Sequence, residues 1–200
     1  MKKKILIFSL AYYPKHIGGA EVAIKEITDR ISPDEYEFHM VCNRFDSARP
    51  KIEQIGNVRV HRIGLTAKNP EMADLRKMPL HLNKALFQFA AYYKGRQLHK
   101  KYHYDATWAM MANSCAIPAG MFKKAFPDVK YILTLQEGDP PEYIEKKMAL
   151  FGDRFKKGFE RADVLQSIST FLQQWGARMG FRGESEVIPN AVNTAHFMQS

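Results

Sequence analysis

A short segment near the amino terminus carries residue types that favour an anion. Residues 12–21 read YYPKHIGGAE and precede a helical pattern. Two glycines at a helix start, Gly18 and Gly19, let a ligand approach the backbone closely, and the free N–H groups there favour negative charge. Lys15 and His16 add donor groups to the same loop. The loop therefore predicts an anion site, and a plain turn that needs glycine at positive φ is the alternative.

The spacing of these residues excludes two common phosphate motifs. It matches neither the dinucleotide pattern G-x-G-x-x-G nor the P-loop pattern G-x-x-x-x-G-K-[ST]. Glu21 falls in the first turn of the predicted helix, where the helix dipole already favours a carboxylate. Its simplest role is therefore that of a charge at a helix start.

Other reactive side chains form no recognisable catalytic or metal-binding arrangement. There is no Ser-His-Asp pattern and no nucleophile elbow. His39 and His61 lie in predicted strands, where a structural role is expected. Three more histidines lie on or beside a long predicted helix without a partner at metal-ligand spacing, namely His81, His99 and His103.

The hydrophobic pattern predicts short strands that alternate with helices. Such alternation implies crossover units, and hence an α/β fold with a doubly wound, Rossmann-like parallel sheet and helices on both faces. Residues 44–57 are polar and linker-like. Predicted strands cover residues 4–10, 38–42, 58–63, 105–110, 130–135, 163–168 and 186–188, and predicted helices cover residues 20–31, 78–103, 116–126, 142–161 and 170–179.

In sheets of this kind, ligands bind beyond the carboxyl ends of the strands. That rule singles out the loops that follow the predicted strands as candidates for a binding site. The four candidate loops are residues 11–19, 111–115, 136–141 and 189–193.

Composition and charge narrow the class of protein. A chain of 200 residues is long enough for one well-packed core. The net charge of +9 suits a nucleic acid, an anionic membrane or a phosphorylated small molecule, or simply serves solubility. No nucleic-acid module is recognisable, so no nucleic-acid partner is expected. No signal peptide and no membrane-spanning run is found, and the isolated Cys42 and Cys115 predict a reduced, cytoplasmic protein.

Three segments of the sequence resemble motifs of GT-B fold glycosyltransferases of family 4. Residues 14–21 (PKHIGGAE) are similar to the P-x-x-x-G-G-x-E loop of that family, and residues 161–169 (RADVLQSIS) resemble its A-D-x-(V/I)-x-x-x-S strand. Residues 187–197 (VIPNAVNTAHF) resemble its V-I-P-N-G-V-D-x-x-x-F segment. The motifs occur in the family's order and span essentially the whole chain.

The resemblance implies half of a two-domain enzyme that transfers a sugar from a nucleotide-sugar donor to a glycan or lipid-linked acceptor, with retention at the anomeric carbon. Residues 1–200 would be the N-terminal, acceptor-binding domain. The nucleotide-sugar domain, with its Glu-x7-Glu pair, is expected outside this chain, and the isolated domain is expected to be inactive. The nucleotide sugar is a substrate, and no cofactor or metal is implied.

Roles for individual residues also follow from the resemblance. Gly18 and Gly19 would approach the donor diphosphate, and Ser169 and Asn190 would belong to the cleft or hinge. No catalytic side chain is assigned, because in enzymes of this class the departing phosphate is thought to assist the acceptor's proton loss. The residues expected to bind the acceptor are Lys15, His16, Glu21, Gln136 and Glu137.

The sequence departs from the family pattern at two places. Gln136 stands where the family often has a histidine, and an amide orients a sugar hydroxyl but cannot shuttle a proton. Asn190 is followed by Ala191 instead of glycine, and Asn193 replaces an aspartate. These changes affect the expected hinge more than the family assignment.

The long predicted helix has an apolar stripe beside many basic residues. Either the stripe packs on the sheet and the lysines are solvated, or the surface makes a peripheral contact with an anionic membrane on its cytoplasmic side. The predicted stripe is Leu82, Leu86, Phe89, Ala90, Tyr93 and Leu98, and the basic residues are Arg76, Lys77, Lys84, Lys94, Arg96, Lys100 and Lys101.

Two other functions remain open from the sequence. A non-catalytic module of the same fold would bind an anionic glycan or lipid head group. A nucleotide-dependent epimerase would use a Tyr-x-x-x-Lys pair, which Tyr143 and Lys147 match, although the glycine signature that should accompany it is missing.

Overall fold

The computed structural model describes residues 2–15 and 17–191. Within these residues eight strands form one sheet: β1 (Lys3–Phe8), β2 (Tyr36–Asn43), β3 (Ile52–Ile55), β4 (Val58–Ile63), β5 (Ala106–Met110), β6 (Lys130–Leu135), β7 (Val164–Ser167) and β8 (Glu184–Val187). The helices are α1 (Gly19–Thr28), α2 (Asn83–Tyr102), α3 (Ala112–Ala125), α4 (Pro141–Met148), α5 (Arg154–Glu160) and α6 (Thr170–Arg178). Short 3-10 turns cover Met72–Arg76, Leu80–Leu82 and Ala149–Phe151.

The strand order is β3-β4-β2-β1-β5-β6-β7-β8. Neighbouring strands are parallel except for β3, which runs antiparallel to β4 at one edge. The chain winds outward from β1 in one direction and outward from β5 in the other, so the winding reverses between these two central strands. This confirms the predicted doubly wound, Rossmann-like α/β fold.

The sheet separates two hydrophobic clusters. On one face, Ala20 and Ile24 of α1 pack with buried strand residues such as Ile7 and Met40. On the other face, buried side chains of α2, α3, α5 and α6 pack against β1, β5, β6 and β7 in one continuous cluster that includes Trp175. Helices therefore cover both faces, as the sequence predicted.

Two predicted segments differ in the structure. The linker-like residues 44–57 contain strand β3, whose alternating exposure and polar surroundings give a weak signal at a sheet edge. The single predicted helix over residues 142–161 is divided into α4, a 3-10 turn and α5. Gly152 adopts a φ of 58° after the 3-10 turn, a conformation that ends a right-handed helix.

Helix α2 presents a different face to the sheet from the one predicted. It buries Phe87 and Ala91 together with Leu98 of the predicted stripe, whereas Leu86, Phe89 and Tyr93 of that stripe are 47%, 37% and 62% exposed. The apolar pattern does not indicate this face, because the face also buries polar and small residues, namely Asn83, Gln88 and Gly95. A Cβ atom on Gly95 would lie 2.9 Å from Cζ of Phe8, so only glycine allows the helix to pack this closely on β1.

Helices α3 and α5 cross at two glycines, and this contact generates a test of the packing. A Cβ atom on Gly158 would lie 2.5 Å from the carbonyl oxygen of Ala116, which is backbone and cannot move aside. We expect Gly158→Ala to lower the free energy of unfolding by about 1–3 kcal/mol through overpacking, measured by urea denaturation. The control is Gly138→Ala, whose Cβ would meet no atom within 4 Å. Equal losses in the two variants would contradict the packing argument.

Candidate functional site

A cleft opens where the winding of the sheet reverses. The carboxyl ends of β1 and β5 lie side by side there, and their chains leave in opposite directions, which is the position where open α/β sheets bind ligands. The cleft has a volume of about 530 Å³, within the usual range for small-molecule sites. Its walls come from the ends of β1 and β5, the start of α3, residues 75–88 and residues 139–151.

The glycine loop lies beside this cleft and does not need glycine for its backbone conformation. Gly18 has φ −123° and ψ −172°, which is extended backbone, and α1 begins at Gly19. Neither glycine is among the described residues with positive φ. The alternative that these glycines serve a positive-φ turn is therefore wrong, and what remains is the lack of side chains at a helix start.

Gly19 lies against the loop that follows β6. A Cβ atom on Gly19 would lie 3.4 Å from Nε2 of Gln136, an ordinary contact that a larger side chain would exceed. Gln136 is buried. The glycine loop and Gln136 therefore share one corner of the molecule, as expected of two parts of one site.

Glu21 faces the cleft and also caps its own helix. Its Oε2 accepts a hydrogen bond of 2.7 Å from the backbone N–H of Gly18, so that N–H is already satisfied by the chain itself. Burial raises the pKa of the Glu21 carboxyl, and the bond from Gly18 counteracts part of this rise. Among the described residues that were expected at the site, Glu21 is the one that lines the cleft.

Glu137 is a buried carboxyl behind the cleft. Its Oε1 accepts a hydrogen bond of 3.3 Å from the N–H of Asn113, in the first turn of α3, and its Oε2 has no hydrogen-bond partner among the described residues. Burial raises the pKa of Glu137 to about 7, although N–H groups of Asn113 and Ala112 lower it. The side chain therefore ties the loop after β6 to the start of α3.

Three further expected residues lie outside the cleft. Lys15 forms an ion pair of 3.4 Å with Asp46, on the far side of the glycine loop. The Ser169 hydroxyl caps α6 by accepting a hydrogen bond of 3.3 Å from the N–H of Leu172, and Asn190 is exposed after β8. His16 lies outside the residues that the structure describes, as does Asn193.

Several cleft residues were not predicted as a group from the sequence. Arg76 and His81 come from the turns before α2, Lys84 and Gln88 come from its first two turns, and Lys147 comes from α4. The fold brings these segments together, and no local motif links them in the sequence. One trace of the site was present in the sequence: Gln88 stands among aromatic residues, on the face of α2 that packs on the sheet.

The backbone at one edge of the cleft is strained. Met111, which lines the cleft and precedes α3, has φ 68° and ψ 117°, a combination that costs a residue with a side chain about 1–3 kcal/mol. Its N–H donates a hydrogen bond of 2.9 Å to the carbonyl of Thr134 at the end of β6. Such strain is concentrated at functional sites in proteins.

Neither a metal centre nor a membrane span is visible in the described part of the chain. Within residues 2–15 and 17–191, no group of three His, Cys, Asp or Glu side chains is placed to hold a metal ion. In the same residues, no helix is both long enough and apolar enough to cross a bilayer.

The reversed sheet and the cleft at its centre define the chain as a Rossmann-like ligand-binding domain. Residues 18–191 match the family described as glycosyl transferase 4-like domain, and the chain belongs to this family. It is one half of the two-domain GT-B fold. This assignment confirms the resemblance seen in the sequence. It does not support the alternative that Tyr143 and Lys147 are the paired residues of an epimerase.

Solved structures show the same fold at low sequence identity. Sucrose-phosphate synthase from Thermosynechococcus elongatus matches with a TM-score of 0.69 and 15% identity, over 97% of this chain and 49% of the synthase chain. The trehalose-phosphate synthase from Burkholderia xenovorans in complex with glucose-6-phosphate matches at 0.64 and 12% identity, over 97% and 51% of the two chains.

Anabaena HepE in complex with UDP and glucose matches with a TM-score of 0.55 and 15% identity, over 96% of this chain and 46% of the HepE chain. The chain therefore spans about half the length of each of these three structures. A search of curated proteins found no match.

The buried Glu137 predicts a pH dependence of stability. Its pKa is about 7 in the folded protein and near 4.5 when unfolded, so between these values the folded state holds a proton that the unfolded state has lost. Stability from this group is complete below about pH 4.5 and falls by about 1.4 kcal/mol per pH unit as the pH rises towards 7.

We expect Glu137→Gln to remove this slope, measured as the difference in unfolding free energy between wild type and variant at pH 5, 6 and 7. Subtracting the variant cancels the opposite contribution of the buried His39 and His61, whose lowered pKa values make stability rise with pH. The exposed Glu142→Gln serves as control and should leave the slope unchanged. A pH-independent difference for Glu137→Gln would show that its carboxyl is ionised throughout.

Proposed function

We propose that this domain is the N-terminal, acceptor-side half of a retaining glycosyltransferase that takes its sugar from a nucleotide-sugar donor. The acceptor is a glycan or a lipid-linked sugar, and a second domain holds the nucleotide. One observation carries the proposal: Gly18 and Gly19 are not needed for backbone conformation, and the backbone at the start of α1 is covered only by the ends of the Glu21 and Gln136 side chains.

The comparisons support the proposal at the level of chemistry. One matched structure is a complex with UDP and glucose, and another is a complex with glucose-6-phosphate. This chain covers 46% and 51% of those proteins, which fits a division of donor and acceptor between two halves. Both identities are far too low to transfer a specific substrate.

The glycine loop would act on the donor through its backbone. The first N–H groups of a helix have no acceptor within the helix, so those of Gly19 and Ala20 are the natural donors for a diphosphate. The N–H of Gly18 would contribute only if Glu21 released it, because that bond is already made. Donors fixed in this way stabilise a leaving group without reorganising during the reaction.

Side chains next to the glycine loop would position the acceptor. Glu21 offers a carboxylate inside the cleft, and the Gln136 amide lies next to Gly19. Glu137 acts from behind, by holding the start of α3 in place through Asn113. The contribution of this domain is therefore orientation and electrostatics, with no general base assigned to it and no metal required.

The glycine loop gives the central test of this function. In the full natural chain, we expect Gly19→Val to lower kcat/KM for sugar transfer at least tenfold, or about 1.4 kcal/mol, because the side chain meets Gln136 and fills the donor space. The thermal midpoint should change little. The control is Ile27→Ala, at an exposed position further along α1.

Two results would count against the proposal. Unchanged kinetics in Gly19→Val would mean that the loop is only a turn. If the full natural chain transferred no sugar from any nucleotide-sugar donor but still bound an anionic glycan or lipid, the domain would be a binding module.

We propose in addition that the outer face of α2 touches an anionic membrane. Leu86, Phe89 and Tyr93 form an exposed stripe on that helix, and the ring of Phe89 lies 6.1 Å from that of Phe151, next to the 83% exposed Leu150. Two exposed basic residues, Lys100 and Lys101, lie in the last turn of the same helix. Two buried free cysteines in the described chain favour the reducing cytoplasmic side of such a membrane.

Vesicle co-sedimentation tests this contact. We expect binding to vesicles that contain anionic phosphatidylglycerol to exceed binding to pure phosphatidylcholine, and Leu150→Ser to reduce it at least fivefold. The matched control is Ile52→Ser, because Ile52 is 51% exposed but lies in β3 at the edge of the sheet. Equal, negligible sedimentation with both lipids would refute the membrane contact.

A further inference from the structure

Three cations face the same cleft without a carboxylate partner. Arg76 lies in the turn before α2, Lys84 in the first turn of α2 and Lys147 near the end of α4. None of them forms an ion pair with an Asp or Glu side chain in residues 2–15 and 17–191. Basic surface residues elsewhere, such as Lys25 and Lys123, do form such pairs. The cluster is therefore a positive region inside a concave site, and Glu21 and Asp139 on the same cleft wall offset only part of its charge.

The cations are close enough to repel each other. Burial against the cleft wall lowers the pKa of Lys84, and the charges of Lys147 and Arg76 lower it further, against an opposing effect of Asp139. A bound anion would remove this repulsion and would be held by several donors at once. Phosphate suits such a site, because its oxygens accept hydrogen bonds from several cationic groups.

A buried amide in the same cleft lacks a partner of its own. Gln88 is 3% exposed and lines the cleft one turn beyond Lys84. Its Nε2 donates to the carbonyl of Lys84 at 3.3 Å, whereas its Oε1 has no hydrogen-bond partner among the described residues. A buried acceptor left in this state costs about 1–3 kcal/mol, and a ligand hydroxyl that bonded to it after the Gln88 side chain turned towards the cleft would remove this cost.

We propose that the acceptor held in this cleft is a phosphorylated sugar, with its phosphate between Arg76, Lys84 and Lys147 and a hydroxyl group donating to Oε1 of Gln88. An uncharged sugar would leave the excess positive charge of the cleft without a counter-charge. The carboxylates of Glu21 and Asp139 on the cleft wall accept further sugar hydroxyls. This inference rests on the acceptor-side function proposed above and specifies its substrate class.

The decisive experiment compares acceptors and variants in the full natural chain with its nucleotide-sugar donor. We expect transfer to hexose 6-phosphates or to a phosphate-linked sugar to exceed transfer to free hexoses at least tenfold in kcat/KM. Lys84→Met and Lys147→Met should each raise KM for the phosphorylated acceptor at least tenfold and leave KM for the donor within twofold. Lys146→Met is the matched control, because Lys146 neighbours Lys147 on α4 but does not line the cleft.

A second measurement uses inorganic phosphate as the probe. Inorganic phosphate at millimolar concentration should inhibit wild-type transfer competitively against the acceptor, and Gln88→Leu should weaken acceptor binding without changing this inhibition. Competition against the donor instead, or a rise in donor KM in the Lys84 and Lys147 variants, would assign the cations to the donor and overturn the inference.

Two arms of the transfer experiment distinguish a soluble from a lipid-linked phosphorylated sugar. One arm offers soluble hexose 6-phosphates, and the other offers a sugar linked through phosphate to a polyprenyl chain in phosphatidylcholine vesicles. Transfer in either arm supports the inference and identifies the source. Transfer to unphosphorylated acceptors alone would overturn the inference and leave the proposed function standing, whereas no transfer to any acceptor would overturn the proposed function itself.

Discussion

A parallel sheet that winds outward in both directions from its centre cannot cover the carboxyl ends of its two central strands. In this domain those strands are β1 and β5, and every part of the candidate site is arranged around the gap between them. The glycine loop leaves β1 on one side of the gap, and α3 leaves β5 on the other. The site therefore exists because of the connectivity of the chain, before any side chain is considered.

The gap has to be held open, and buried polar contacts do this. Glu137 joins the loop after β6 to the first turn of α3, and the N–H of Met111 is held by the carbonyl of Thr134 while its backbone is strained. On the other side, Gly95 lets α2 lie directly on β1. The stability of the core therefore offsets the cost of strained backbone and of polar groups without full hydrogen bonding at the edge of the cleft.

The sequence predicted the parts of this arrangement that leave a local trace. Strands β4 and β6 have the predicted bounds, since their apolar runs end at polar or glycine-containing loops. The two glycines at the start of α1 were also recognisable in the sequence, and Gly19 lies next to Gln136 in the structure. The inward face of α2 was not predicted, because its packing depends on a glycine meeting Phe8 from a distant strand. Arg76, Lys84 and Lys147 could not be grouped, because only tertiary contacts bring their three segments together.

The polar lining of the cleft comes mostly from α2, α4 and the turns beside them, whereas the strands supply chiefly its floor. The residues that determine the fold are therefore largely different from the residues that determine specificity. Substitutions on two helices can exchange one recognised group for another without disturbing strand register or the core. Homologous domains would thus diversify their substrates by drift at a handful of surface positions, and sheet sequences would be poor guides to what each of them recognises.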